Sequence, residues 1–274
     1  MPELPEVETI VRDLRPKVLG RTFDQVEVGA TRMVRTPSPD ELKRALKGRR
    51  IRALDRRGKY MVFDLDHGAL VVHLMMGGAL RWTPPHGEEA DPEPLRHLRL
   101  RFGLDDGSEL GLVNPRTLGN VWLVDSAAQV IGRLGPEPLT DEFTVAVLRQ
   151  RLQRHKGPIK PVLLDQSVIA GIGNIYADES LFRSGIRPER PTDGLSDAET
   201  KKLHAGIKES LETGIRLRGT SMGDFMDPFG EKGQNQTALN VYHQQGKPCT
   251  RCGTPIERKE FHGRGTHFCP HCQQ

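Results

Sequence analysis

The sequence predicts an α+β chain. An N-terminal helix and a β-sandwich precede a helical half that ends in a four-cysteine β-hairpin. Three observations carry this. Short apolar segments separated by turn residues fill the stretch from 22 to 124. Helical apolar stripes replace them beyond residue 140. All four cysteines lie in the last 26 residues.

A chain of 274 residues suits two domains and can bury a core without disulfides. With 36% hydrophobic and 28% charged residues it is neither a membrane channel, a collagen nor a disordered chain. The longest apolar stretch, from Ala69 to Met76, is interrupted by His73 and is far too short to span a bilayer. The acidic start, Met1-Pro2-Glu3-Leu4-Pro5-Glu6, lacks the basic region of a signal peptide, so a cytoplasmic location is expected. The net charge of +4 permits a polyanionic partner without requiring one. Arg149–Lys160 holds five basic residues and no acid.

The first helix is predicted from Val7, Ile10, Val11, Leu14 and Val18, which share one face. Pro5 suits its first turn, Gly20 its end, and Pro16 should kink or shorten it. Strands are predicted at Phe23–Val28, Ile51–Asp55, Tyr60–Asp64, Leu70–Met75, Leu98–Phe102, Glu109–Val113 and Asn120–Val124. Thr83–Pro94, with four prolines, reads as an exposed loop. Gly132–Thr140 reads as a linker and Phe143–Arg154 as a helix. Gly171 and Gly173 make a tight turn before a helix starting near Asn174, whose free N–H groups suit a phosphate. Ser196 and Glu199 form a capping box for a helix carrying Leu203, Ile207, Leu211 and Ile215. Gly219–Gln245 shows no periodicity and reads as a long functional loop. The expected domains are 1–131, a linker at 132–140, a helical domain at 141–245 and a finger at 246–274.

Cys249, Cys252, Cys269 and Cys272 form two Cys-x2-Cys knuckles, the spacing that cages one zinc ion. Two disulfides, or a histidine ligand from His262, His267 or His271, are the competing arrangements. Gly263-Arg264-Gly265-Thr266-His267, between the knuckles, should form the tip of a hairpin that offers Arg264 to a phosphate. At the other end of the chain, removal of Met1 would leave Pro2 as a secondary amine at a helix N-terminus. The helix dipole and burial both disfavour its protonated form. Such an amine forms a Schiff base with a sugar aldehyde, and Glu3 beside it is a candidate general acid/base.

Together these residues resemble the formamidopyrimidine-DNA glycosylase family of bacterial repair enzymes for oxidised purines. The resemblance covers nearly the whole chain. It includes Pro2-Glu3-Leu4-Pro5-Glu6-Val7-Glu8, Arg57-Gly58-Lys59-Tyr60, Leu134–Leu139, Leu164-Asp165-Gln166 through Tyr176, and Gly263–His267.

The resemblance implies a two-domain clamp on damaged double-stranded DNA, a monomer with a helix–two-turn–helix half and one structural zinc ion. Pro2 would attack C1′ of the damaged nucleotide, Glu3 would move protons, and β- and δ-elimination would follow. Lys59 would belong to the catalytic set. Phosphates would be gripped by Lys59, His73, Asn174, Tyr242 and Arg264. Met76, Arg116 and Leu118 would fill the gap left by a flipped base. Leu118 stands where a phenylalanine is common, Gly77 where some members have a glutamate, and the loop at 219–239 matches poorly. An endonuclease VIII-like enzyme for oxidised pyrimidines and a non-catalytic zinc-ribbon DNA-binding protein are the competing functions. Leu4 and Arg116 favour the purine enzyme over the first; the Pro2-Glu3 start argues against the second.

Overall fold

The computed structural model describes residues 1–85, 97–223 and 225–274. They divide into two compact units, Met1–Arg133 with Arg218–Gln234, and Leu134–Leu217 with Asn235–Gln274. This departs from the expected segments. The first boundary falls at 133/134, and most of the long loop belongs to the N-terminal unit rather than to the helical one.

In the first unit, α1 (Leu4–Val18) starts where Glu3 is extended and its N–H donates to Glu6 Oε2 at 2.8 Å. Pro5 lies in the first turn, and Arg15 and Lys17 sit at the negative end of the helix dipole. Pro16 neither ends the helix nor shortens it: it stands in the last turn and removes one intrahelical donor. The predicted apolar face, Val7, Ile10, Val11, Leu14 and Val18, is fully buried.

Among the described residues nine strands follow: β1 (Phe23–Val28), β2 (Val34–Thr36), β3 (Ile51–Arg57), β4 (Tyr60–Leu65), β5 (Ala69–His73), β6 (Ala79–Thr83), β7 (Leu98–Leu104), β8 (Glu109–Val113) and β9 (Asn120–Val124). Helix α2 (Pro39–Leu46) lies between β2 and β3, and a single turn, α3 (Ala128–Ile131), follows β9. The strands form a four-stranded sheet, β1-β7-β8-β6, and a five-stranded sheet, β2-β9-β5-β4-β3. Phe23, Phe63, Phe102, Leu110 and Val121 join α1 in one core, which makes the pair of sheets a sandwich.

Strands β2 and β6 and helix α2 were not anticipated, although Ser38 and Glu41 cap α2 reciprocally, with Ser38 N–H on Glu41 Oε2 at 3.0 Å and Glu41 N–H on Ser38 Oγ at 3.4 Å. The strand expected to reach Met75 ends at His73, because Met75 takes a left-handed φ of 55°. Of the proline-rich stretch at 83–94, Thr83 closes β6 and residues 86–94 lie outside the described residues.

The second unit carries α4 (Val145–Leu152), α5 (Ile159–Leu164), α6 (Asn174–Ser184) and α7 (Asp197–Arg216). Helix α6 begins where the glycine turn predicted, after Gly173, and closes on Gly185 at φ 72°. Helix α7 opens on the Ser196–Glu199 box, with Ser196 N–H on Glu199 Oε2 at 2.8 Å. Helices α6 and α7 pack closely: a Cβ on Gly206 would lie 2.9 Å from the Ser180 carbonyl oxygen.

The finger hairpin pairs β10 (Glu257–Phe261) with β11 (Arg264–Phe268). Its two-residue turn is His262-Gly263, with φ of 50° and 68°, so Arg264 opens β11 instead of lying at the tip. In the stretch read as loop, Asn235–Ala238 forms a 3-10 turn and Leu239 and Val241 are buried. Among the described residues no helix is long and apolar enough to cross a membrane.

Candidate active site and nucleic-acid contacts

In the first unit, Pro2 is buried while Met1 is 49% exposed. Glu3 and Glu6 are buried beside it. One oxygen of Glu6 accepts the Glu3 N–H, and the other accepts the Thr220 N–H at 2.7 Å. Removal of Met1 would leave the proline nitrogen two residues before the first residue of α1.

Lys59 follows the Gly58 turn, at φ 58°, that joins β3 to β4, and it is buried. His73 closes β5 opposite Tyr60, with ring centroids 4.6 Å apart. Burial, and then the Lys59 charge, push the His73 pKa down to about 4. Its ring is therefore neutral at physiological pH. Nδ1 faces the Met75 N–H at 3.1 Å as acceptor, which leaves the proton on Nε2 as a donor.

Met76 is 43% and Leu118 41% exposed, and Arg116 is exposed too. The Arg116 guanidinium lies 2.7 Å from the Met76 sulfur. Beneath them the buried Asn114 amide donates to the Leu74 carbonyl at 3.0 Å, and its oxygen accepts the Leu118 N–H at 3.2 Å. Met76 is therefore not a core methionine. The loop after β5 and the loop after β8 meet at the Met76–Arg116 contact, and the exposed Leu118 follows on the second of these loops.

In the second unit, the Asn174 side chain donates to the Gly265 carbonyl at 2.9 Å, tying the start of α6 to the hairpin strand that carries the exposed Arg264. Lys160 Nζ reaches the same carbonyl at 3.0 Å and Thr266 Oγ1 at 2.8 Å. Asp178 accepts the His267 N–H at 2.9 Å. Tyr242 stacks edge-on to His267 at 5.1 Å. Its backbone is shaped by the buried Glu179, whose carboxylate accepts the N–H groups of Asn240, Val241 and Tyr242 at 2.8–3.0 Å.

The four cysteine sulfurs lie within 4.8 Å of one another, with Cys252–Cys269 at 3.5 Å and Cys249–Cys272 at 3.9 Å. Disulfide sulfurs would be about 2.05 Å apart. Tetrahedral zinc with sulfur at 2.3 Å needs about 3.8 Å between ligands. The donor set therefore fits one zinc ion, and His267 is engaged with Asp178 instead.

Three family models cover most of the chain. The formamidopyrimidine-DNA glycosylase N-terminal domain matches residues 1–121, the formamidopyrimidine-DNA glycosylase H2TH domain 134–226, and the zinc finger found in FPG and IleRS 246–274. The formamidopyrimidine-DNA glycosylase of Enterococcus faecalis is 40% identical over 100% of this chain and 98% of its own length. That of Herpetosiphon aurantiacus is 44% identical over the whole of both chains. This chain belongs to the formamidopyrimidine-DNA glycosylase family. The crystal structure of the MutM (FPG) protein of Thermus thermophilus superposes with a TM-score of 0.88 at 40% identity, over 99% of this chain and 98% of that one. A Lactococcus lactis FPG mutant in complex with Fapy-dG-containing DNA superposes with a TM-score of 0.89 at 36% identity, over 100% of both chains.

Within this glycosylase-family chain, the first unit places Pro2 and Glu3 at one helix end and brings Arg116 against Met76, with Leu118 exposed on the Arg116 loop. The second brings Asn174 and Arg264 to one hairpin. Sequence reasoning missed Glu6, Asn114, Lys160, Asp178 and Glu179. Glu6 was legible as the helix-capping partner three residues after Glu3. The other four are buried polar residues whose partners lie far along the chain, and no local spacing announces them.

Proposed function

We propose that this chain is a bifunctional DNA glycosylase and abasic-site lyase that excises oxidised purines, 8-oxoguanine and formamidopyrimidines, from duplex DNA in the bacterial cytoplasm. The observation that carries this reading is the buried Pro2-Glu3 start of α1 in a chain matched end to end by formamidopyrimidine-DNA glycosylases.

After Met1 is removed, the Pro2 nitrogen attacks C1′ of the damaged nucleotide. The N-glycosidic bond breaks, and the base leaves with its electron pair and takes up a proton. Glu3 as an acid protonates O4′ as the sugar ring opens, giving an iminium ion between Pro2 and C1′. The iminium acidifies a C2′ hydrogen. Its loss expels the 3′ phosphate and a second elimination expels the 5′ phosphate, leaving a one-nucleotide gap; hydrolysis of the iminium then releases the five-carbon sugar remnant as an unsaturated aldehyde and frees the Pro2 amine.

Lys59 as a cation and His73 as a neutral Nε2–H donor bind phosphates around the lesion, with Asn174, Tyr242 and Arg264 from the second unit. Met76, Arg116 and Leu118 occupy the space of the extruded base, and the Arg116 donor fork pairs with the orphaned base. One zinc ion held by the four cysteines stabilises the finger and takes no part in the reaction.

The test is strand cleavage of duplexes containing 8-oxoguanine opposite cytosine, or thymine glycol. A one-nucleotide gap with phosphate at both ends, formed mainly at 8-oxoguanine, supports the reading. Cleavage mainly at thymine glycol replaces it with an oxidised-pyrimidine enzyme, and binding without cleavage replaces it with a lesion-binding protein.

A further inference from the structure

Arg218 is a non-glycine residue held at φ 59°, a left-handed conformation that a Cβ disfavours. Its surroundings over-determine it. The guanidinium forks onto Asp13 of α1, with Nη1 at 3.1 Å and Nη2 at 2.6 Å, and Nη2 also reaches Asp227 Oδ2 at 2.5 Å. The Asp227 side chain is only 2% exposed, so it depends on this cation. Its other oxygen accepts the N–H groups of Phe229 and Glu231, each at 2.9 Å. Arg81 of β6 donates to the Asp227 carbonyl at 2.7 Å, and the Trp82 N–H donates to the Pro228 carbonyl at 3.1 Å. The segment 218–234 is therefore fixed at Arg218 to α1 and at Asp227-Pro228 to β6.

What this fixes lies beside the reactive end of the helix. Gly219 follows Arg218 at φ 84°, and a Cβ there would meet Glu6 Cγ at 2.9 Å. The next N–H, that of Thr220, is the one bound by Glu6. Glu6 and Asp13 are seven residues apart, two turns along one face of α1. The segment is thus tied to α1 at two points, one of them the carboxylate that also holds the backbone of Glu3.

We propose that Arg218 is a positioning residue for base removal: its ion pairs with Asp13 and Asp227 hold residues 218–221 against the Pro2-Glu3 end of α1, where a damaged base must be seated before Pro2 attacks. The assignment rests on the proposed function. It separates two steps that share one nucleophile. Base excision needs the segment in place, whereas cleavage at a preformed abasic site has no base to seat.

The test compares single-turnover rates on an 8-oxoguanine duplex and on an abasic duplex for Arg218→Gly, Arg218→Lys and wild type. Glycine suits the left-handed backbone and deletes the ion pairs. Excision by Arg218→Gly should fall about tenfold or more, the scale expected for a displaced substrate-positioning group, with abasic-site cleavage within about twofold of wild type. Arg218→Lys, which keeps the charge without the fork, should recover part of the loss. If Arg218→Gly does not fold, Asp13→Asn should show the same selective loss in smaller measure. Equal losses on both substrates, or no loss on either, overturn the assignment. Wild-type protein that cleaves abasic duplex but excises no 8-oxoguanine overturns the proposed function, and this assignment with it.

Discussion

Lys160 Nζ lies 2.7 Å from Asp178 Oδ1, with both side chains at most 1% exposed. This ion pair joins α5 to α6, and through Lys160 it also holds the Gly265 carbonyl and the Thr266 hydroxyl of the finger hairpin. Lys160→Met keeps the apolar stem and strands the Asp178 carboxylate without its cation. Breaking a buried pair from one side costs about 3–5 kcal/mol. The variant should lose that much unfolding free energy in denaturant titrations and bind lesion DNA more weakly through the displaced Arg264. An unchanged unfolding midpoint would remove the pair from the account.

His73 gives a pH signature. Its folded-state pKa of about 4 lies below the ordinary 6.5, so the unfolded chain binds the proton first as pH falls. Its stabilising contribution is complete above pH 6.5 and is lost between 6.5 and 4, by roughly 3 kcal/mol over the whole range. Plotting the unfolding midpoint against pH should show this slope in wild type, and a shallower one in His73→Gln, which cannot protonate. Identical slopes would mean that His73 binds its proton equally well in the folded and unfolded chain, which would contradict the lowered pKa.

Zinc removal should act on the finger. With the sulfur cage emptied, the hairpin bearing Arg264 loses its order. DNA affinity then falls and the log–log salt slope drops by about one, the loss of one phosphate contact. The helix and sheets of the first unit should persist by circular dichroism. Unchanged affinity after verified metal loss would contradict the role given to the finger.

Glu3→Gln keeps the size and extended backbone of Glu3 but cannot carry the proton. Turnover should fall by about two orders of magnitude or more, the usual worth of a positioned acid/base group, while affinity for a lesion duplex is retained. Wild-type turnover would take Glu3 out of the chemistry.

The features legible in the sequence were those with a local pattern. The α1 stripe, the glycine turn before α6, the Ser196–Glu199 box and the two cysteine knuckles each occupy a few consecutive residues, and each lies where expected. Strand β6 was hidden because it follows directly on Gly77 and Gly78 and the alternation of Ala79–Thr83 is weak. Arg264 was placed at the hairpin tip because Gly263 and Gly265 flank it, yet the two positive φ values fall on His262 and Gly263. Tertiary partners were not legible at all. Arg218 and Asp13 are 205 residues apart, and Lys160 reaches Thr266 across 106. Each is an ordinary surface charge until the fold supplies its counterion, so no spacing rule could have singled it out.

The central claim is that the amine of Pro2 attacks the sugar of an oxidised purine nucleotide. Borohydride trapping tests it most directly. Untagged protein is mixed with a duplex carrying 8-oxoguanine opposite cytosine, reduced, and resolved on a denaturing gel, and the adduct is mapped by peptide mass. The account predicts a covalent protein–DNA species with the modification on Pro2. An adduct on another residue, or none from protein that binds the duplex with Met1 removed, would contradict it.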